Sequence, residues 1–268
     1  MTQKGAGIEE LRDFAVSAIR RAGEEALKWY GKGRSDTKFD EDLVTEAELH
    51  LIETFHKALQ ERFPGHEVFG DAPPRKDYVH GQEGFLWVYD ALDGVANFQA
   101  GVPLWGMSLA LLENFWPVLG LFYLPATGDL FYAEPDTGAT LNGNPIRIAY
   151  SGDMNNESLL FTYSRFHNHY RSNFPGKIRN LGCTAAHICY VAMGRAEGAL
   201  LNSVSYQDLA AAQVILKAAG GAIEKVEQPG TFYLNEHFES RRIEVPLLAA
   251  PRGAHEGLRA YLSRTSAV

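Results

Sequence analysis

Five apolar residues, Phe85-Leu86-Trp87-Val88-Tyr89, run without a polar break and end at once on Asp90-Ala91-Leu92-Asp93-Gly94. So short an apolar run predicts a buried strand. A buried strand needs layers on either side of it, and strand ends in layered α/β proteins are where ligands sit. Two aspartates at this spacing can turn back toward one point if the backbone bends at once, and Gly94 permits the bend. Leu92 would add its carbonyl oxygen, and hard cations such as Mg²⁺ prefer oxygen ligands of this kind. The same aspartates also suit an Asx-turn that caps a helix. The segment alone leaves both readings open.

The flanking sequence supplies the layers. Ile8, Leu11, Ala15, Ala18, Ile19, Ala22, Leu27 and Tyr30 recur at helical spacing, which predicts an amphipathic helix over 8–30 that ends at Gly31 and Gly33. A second helix is expected over 46–62, with Leu49, Ile52, Phe55 and Leu59 on one face and Thr45 to Glu48 as its capping box. Residues 71–84 are polar, contain Pro73-Pro74, and read as a mobile loop. Strands are expected at 106–113, 117–124, 129–134, 159–163 and 247–250, and helices at 184–194, 208–219 and 254–263. This mixture predicts an α+β chain of layered helices and sheets. Its halves, 1–146 with the paired aspartates and 147–268, would pack as one compact domain.

Totals exclude several functions. The 268 residues are 46% hydrophobic, enough for a full core. Lys and Arg number 25 against 33 Asp and Glu, a net charge of −8. Nucleic acid as a partner is therefore not expected, since phosphate backbones need a basic surface. Cys183 and Cys189 make neither a disulfide framework nor a zinc pattern, and read as small buried core residues in a reducing compartment. No apolar run is long enough to cross a bilayer, and the N-terminus has no apolar signal core. The expected protein is soluble and cytoplasmic, with no membrane partner.

Asp208 stands at the start of the small-residue helix Leu209-Ala210-Ala211-Ala212. It suits an N-cap, and a cap residue can also project into a cleft above its helix. The stretch from Arg165 to Arg171 is basic and aromatic and reads as a solvated surface loop; His167 and His169 lack a nearby carboxylate to make them metal ligands.

Three passages resemble the inositol monophosphatase superfamily. Trp87 to Phe98, with Gly101-Val102-Pro103, is similar to its Asp-Pro-Ile-Asp-Gly-Thr-x-Asn-Phe signature and the Gly-x-Pro behind it. Asp208 to Gly221 is similar to its Trp-Asp-x-Ala-Ala-Gly signature, and Asp42-Leu43-Val44-Thr45 to its Asp-Leu-Val-Thr. Leu141 to Ile146 and Gly182-Cys183-Thr184-Ala185-Ala186 add support. The resemblance implies a layered αβαβα sandwich, often a homodimer, and Mg²⁺-dependent hydrolysis of a small phosphorylated substrate with two or three ions. Carried over, one metal would be held by Asp71, Asp90 and the Leu92 carbonyl, and a second by Asp90, Asp93 and Asp208. In a phosphatase the backbone N–H groups of Gly94 and Val95 would cradle phosphate, and Asn202, with Tyr206 and Gln207, would offer polar contacts to a substrate other than inositol phosphate.

Departures accompany the match. The family's Gly-Glu-Glu loop reads Gly70-Asp71-Ala72, and its signature threonine, which helps orient the attacking water, is Val95. A valine neither donates nor accepts a hydrogen bond. The aspartate that pairs with that threonine aligns with Glu48. An acidic residue that contacts inositol hydroxyls falls near Leu201, which argues against inositol phosphate as the substrate. The leading expectation is a phosphatase; the rival is a catalytically impaired relative that binds metal, ligand or a protein partner.

Overall fold

The computed structural model describes residues 7–33, 41–69, 84–238 and 242–265. Helix α1 (Ile8–Ala26) buries Leu11, Ala15, Ile19, Ala22 and Ala26 along one stripe. Helix α2 (Glu41–Arg62) lies beside it and buries Ala47, Leu51, Ile52, Phe55 and Leu59. Two expectations are corrected here. The second helix begins at Glu41, so Thr45 is not its cap. Leu49 is 47% exposed, because the buried stripe runs through Ala47 and Leu51 instead.

A seven-stranded sheet follows in the order β1 (Glu67–Phe69), β2 (Phe85–Asp93), β3 (Gly106–Glu113), β4 (Trp116–Leu124), β5 (Asp129–Glu134), β6 (Gly138–Leu141) and β7 (Asn144–Ile146). Only β1 and β2 pair in parallel; every later neighbour is antiparallel. A short helix, α3 (Val95–Ala100), leaves the end of β2. Side-chain alternation divides the sheet's two faces. Trp87, Tyr89, Leu109 and Leu121 pack on α1 and α2.

The remaining elements are β8 (Leu159–Phe161), β9 (Tyr170–Ser172), β10 (Lys177–Arg179), α4 (Thr184–Ala192), β11 (Gly198–Leu201), β12 (Val204–Ser205), α5 (Tyr206–Ala218), β13 (Gly221–Lys225), β14 (Arg242–Ile243), β15 (Leu247–Pro251), α6 (His255–Ala260) and β16 (Leu262–Arg264). A second sheet has the order β10-β8-β11-β15-β13, and two small ribbons pair β12 with β14 and β9 with β16. Helices α4 and α5 are sandwiched between the large sheets. Leu86, Val88 and Ala110 meet Tyr206, Ala210 and Ala211 on one side. On the other, Phe161, Ala199, Leu201 and Ile223 pack with Ile188, Leu209 and Ile215. Leu200, Leu248 and Ala250 face outward onto Ala254 and Leu258 at α6. The result is the layered αβαβα sandwich.

Close contact in the middle layer depends on small residues. A Cβ at Gly120 would lie 2.8 Å from the Ala211 carbonyl oxygen, so β4 and α5 approach there only because position 120 has no side chain. Among the described residues no helix is long and apolar enough to cross a membrane.

Candidate active site

β2 does not stop at Tyr89; it continues through both aspartates. Asp90 pairs with Ser108 of β3, but Asp93 pairs with Gly106, so β2 carries one extra residue at this point. In a regular strand, residues three apart point to opposite faces. The bulge cancels that inversion and returns Asp93 to the side that carries Asp90. Gly94 then turns the chain at φ 86°, and a side chain there would press on the Leu104 and Gly182 carbonyl oxygens at 3.0 and 3.2 Å. The bend read from the sequence is therefore real, and bulge and glycine produce it together.

Asp208 arrives from the facing helix. The N-cap of α5 is Ser205, not Asp208. Asp208 is the third residue of the helix: its backbone N–H donates to Ser205 Oγ at 3.0 Å, and its Oδ2 accepts from the Ser205 N–H at 2.9 Å. This capping box fixes the side chain at the helix mouth, near enough to Asp90 for the two carboxyls to interact. Burial pushes the Asp208 pKa upward.

Asp93 has a different set of partners. Helix α4 begins at Cys183 without a side-chain cap of its own. Asp93 supplies one from the other sheet: Thr184 N–H donates to Oδ1 at 3.0 Å, Ala185 N–H to Oδ2 at 2.7 Å, and the Cys183 thiol to Oδ2 at 3.2 Å. Burial, and then the nearby charge of Asp208, push the Asp93 pKa up to about 7, against the pull of those donors. Asp90 and Asp93 are both buried. Among the described residues no group of three His, Cys, Asp or Glu side chains is set to hold a metal ion. Asp208 lies near Asp90, while Asp93 has about three of its four acceptor positions taken.

The other expected site residues fall as follows. Leu92 lies in the bulge, its N–H bonded to Asp90 Oδ1 at 3.1 Å. Val95 is half-buried as the first residue of α3. Leu201 is buried in the core shared with α4 and α5, where it offers no polar atom. Asn202 lines a separate cavity of about 230 Å³ with His169, Tyr170, Glu244, Pro246 and Arg264. His167 and His169 are exposed, and His169 bonds the Tyr163 hydroxyl. Asp71 and Ala72 lie outside the described residues.

Sequence reasoning missed the brace around Asp93. Asn97 donates to the Leu104 and Leu181 carbonyls at 2.6 and 2.7 Å and ties the two sheets together. Gly182 to Ala185 forms the capped mouth of α4; the segment stood out as a motif, but nothing local reveals that its partner lies 90 residues away. Buried His187 holds the same turn: its Nε2 accepts from the Leu181 N–H at 2.8 Å, and its ring stacks on Phe161.

Burial lowers the His187 pKa to about 4 from an ordinary 6.5. The unfolded chain therefore binds a proton that the folded chain refuses, and stability falls as pH drops through that window. Between pH 7 and pH 5 the parent should lose about 2 kcal/mol more than a His187→Gln variant. Denaturant unfolding at the two pH values checks this; equal losses would remove His187 as the cause.

The inositol monophosphatase family model matches residues 8–265. Histidinol-phosphatase of Chlorobaculum parvum is 31% identical over 218 residues, 78% of this chain and 83% of that protein. Inositol-1-monophosphatase of a Synechocystis strain is 29% identical over 233 residues, 81% of this chain and 79% of that one. Among solved structures, an IMPase of Thermotoga maritima superposes with a TM-score of 0.75 at 23% identity, covering 93% of this chain and 95% of its own.

Proposed function

The chain belongs to the inositol monophosphatase family, and on that premise we propose that it is a Mg²⁺-dependent phosphatase whose metal ligands are Asp90, Asp93 and Asp208, with a preferred substrate other than inositol phosphate. Phosphatase activity is what the names of these two relatives share. The observation that carries the ligand set is geometric: the bulge returns Asp93 to the Asp90 side of β2, and the capping box holds Asp208 at the facing mouth of α5, close enough for its charge to raise the Asp93 pKa. Clustered buried carboxyls need either protons or a cation. A divalent ion can supply that charge once the three carboxyls turn toward it, and all-oxygen ligands favour Mg²⁺.

Asp90 and Asp208 would hold the ion with the remaining acceptor position of Asp93, and the Leu92 carbonyl and Asp71 would complete a second position. When bound, Mg²⁺ neutralises phosphate charge and lowers the pKa of a water. Gly94 and Val95 would present backbone N–H groups to the phosphate. Val95 has no hydroxyl to orient the attacking water, which favours slow turnover. We take the protein to be a cytoplasmic homodimer; the family resemblance supports the assembly, and two free cysteines suit a reducing compartment.

The substrate reading rests on Leu201. A hydroxyl-rich ring that loses water without gaining a polar partner costs roughly 1–3 kcal/mol per group. Phosphate release from inositol 1-phosphate, histidinol phosphate, sugar phosphates and phosphoadenosine phosphate should rank inositol phosphate below at least one of the others by kcat/KM. If inositol phosphate ranks first, this view of the pocket is wrong.

A further inference from the structure

Ser108 sits directly opposite Asp90 in the antiparallel pairing of β2 and β3. Side chains of such a pair share a face, with Cβ atoms about 5 Å apart. Ser108 is 1% exposed, and its hydroxyl has no hydrogen-bond partner among the described residues. On β3 the residues around it on this face are Gly106 and Ala110, and its partner on β4 is Phe122. A buried hydroxyl left without a partner is disfavoured over the alanine that would fill the same space. Its place beside the central acid of the site gives a reason for it. We propose that Ser108 is a positioning residue for Asp90: with a divalent ion bound at the site, the Ser108 hydroxyl would donate to the Asp90 carboxylate and fix its orientation toward the ion. The inference rests on the metal-binding reading above. Hydrogen bonds from such supporting groups typically change metal affinity by about 10–100-fold.

Ser108→Ala tests it, with Asp90→Asn alongside and Mn²⁺ as the probe. Without metal, Ser108→Ala should melt at or above the parent's temperature, since it removes only an unpaired buried hydroxyl. In calorimetry its Mn²⁺ affinity should be at least 10-fold weaker than the parent's. A purely structural serine would give the opposite pattern, a lower metal-free melting temperature with unchanged affinity, and that result overturns the proposal. Parent-like Mn²⁺ binding by Ser108→Ala, with binding lost in Asp90→Asn, also overturns it while leaving the metal site intact. If the parent itself binds no Mn²⁺, the metal-binding reading fails and the role of Ser108 falls with it.

Discussion

Asp90→Asn should lower kcat/KM for the best phosphate ester by roughly 10³-fold, about 4 kcal/mol of transition-state stabilisation. It should also remove the calorimetric signal of Mg²⁺ or Mn²⁺ binding. Asp90 is central because it lies near Asp208 across the layers, accepts from the Leu92 N–H and opens the bulge that carries Leu92 and Asp93. Asparagine keeps the shape and a carbonyl oxygen for the Leu92 N–H but removes the charge that would hold the ion. The metal-free variant should be no less stable than the parent, because one member of a buried group of acids has been neutralised. Loss of activity with the fold intact therefore separates a ligand role from a structural one. Equal metal binding by parent and variant would place the ion elsewhere.

Restoring the missing polar groups should act in the other direction. A triple variant, Val95→Thr with Asp71→Glu and Ala72→Glu, should turn over about 10²-fold faster than the parent. Placing a water and accepting its proton contributes on that order. Val95 is half-buried at the first position of α3, immediately after the Gly94 turn. A threonine there keeps the branched shape and adds the hydroxyl. Metal affinity should change less than kcat, since Asp90, Asp93 and Asp208 remain. A folded, metal-binding triple variant with no gain in kcat would mean that other residues already position the water. A parent without any activity, together with a triple variant that gains it, would favour the second reading: a relative that keeps the site for binding.

How much of this was legible in the sequence depended on where each element's partners lie. The strand that leads into Asp90 declared itself by five consecutive apolar residues, and α1 by its spacing, because both signals are local. β11 and β13 gave no such signal. Gly198–Leu201 is four residues long, and its place in the sheet comes from β8 and β15, which lie far from it in sequence. The start of α2 was misplaced because Thr45 and Glu48 make a plausible capping pattern inside a helix that had already begun at Glu41.

At the site, the aspartates were visible as residue types, but their geometry was not. The extra residue that brings Asp93 to the side of Asp90 is a property of strand pairing and cannot be seen in β2 alone. The capping of α4 by Asp93, the brace at Asn97 and the hydroxyl of Ser108 all join segments that are distant in the chain. Ser205, by contrast, was readable: a serine three residues before an aspartate at the head of an alanine-rich helix is a capping box. Taking Asp208 itself as the cap overlooked it.

Phosphate release by the parent chain, measured before and after chelation and again after Mg²⁺ is returned, tests whether the chain is a Mg²⁺-dependent phosphatase. Release from at least one small monoester that stops on chelation and recovers with Mg²⁺ is the predicted result. Release at an unchanged rate in the presence of chelator, or none from any monoester with Mg²⁺ in excess, would contradict it.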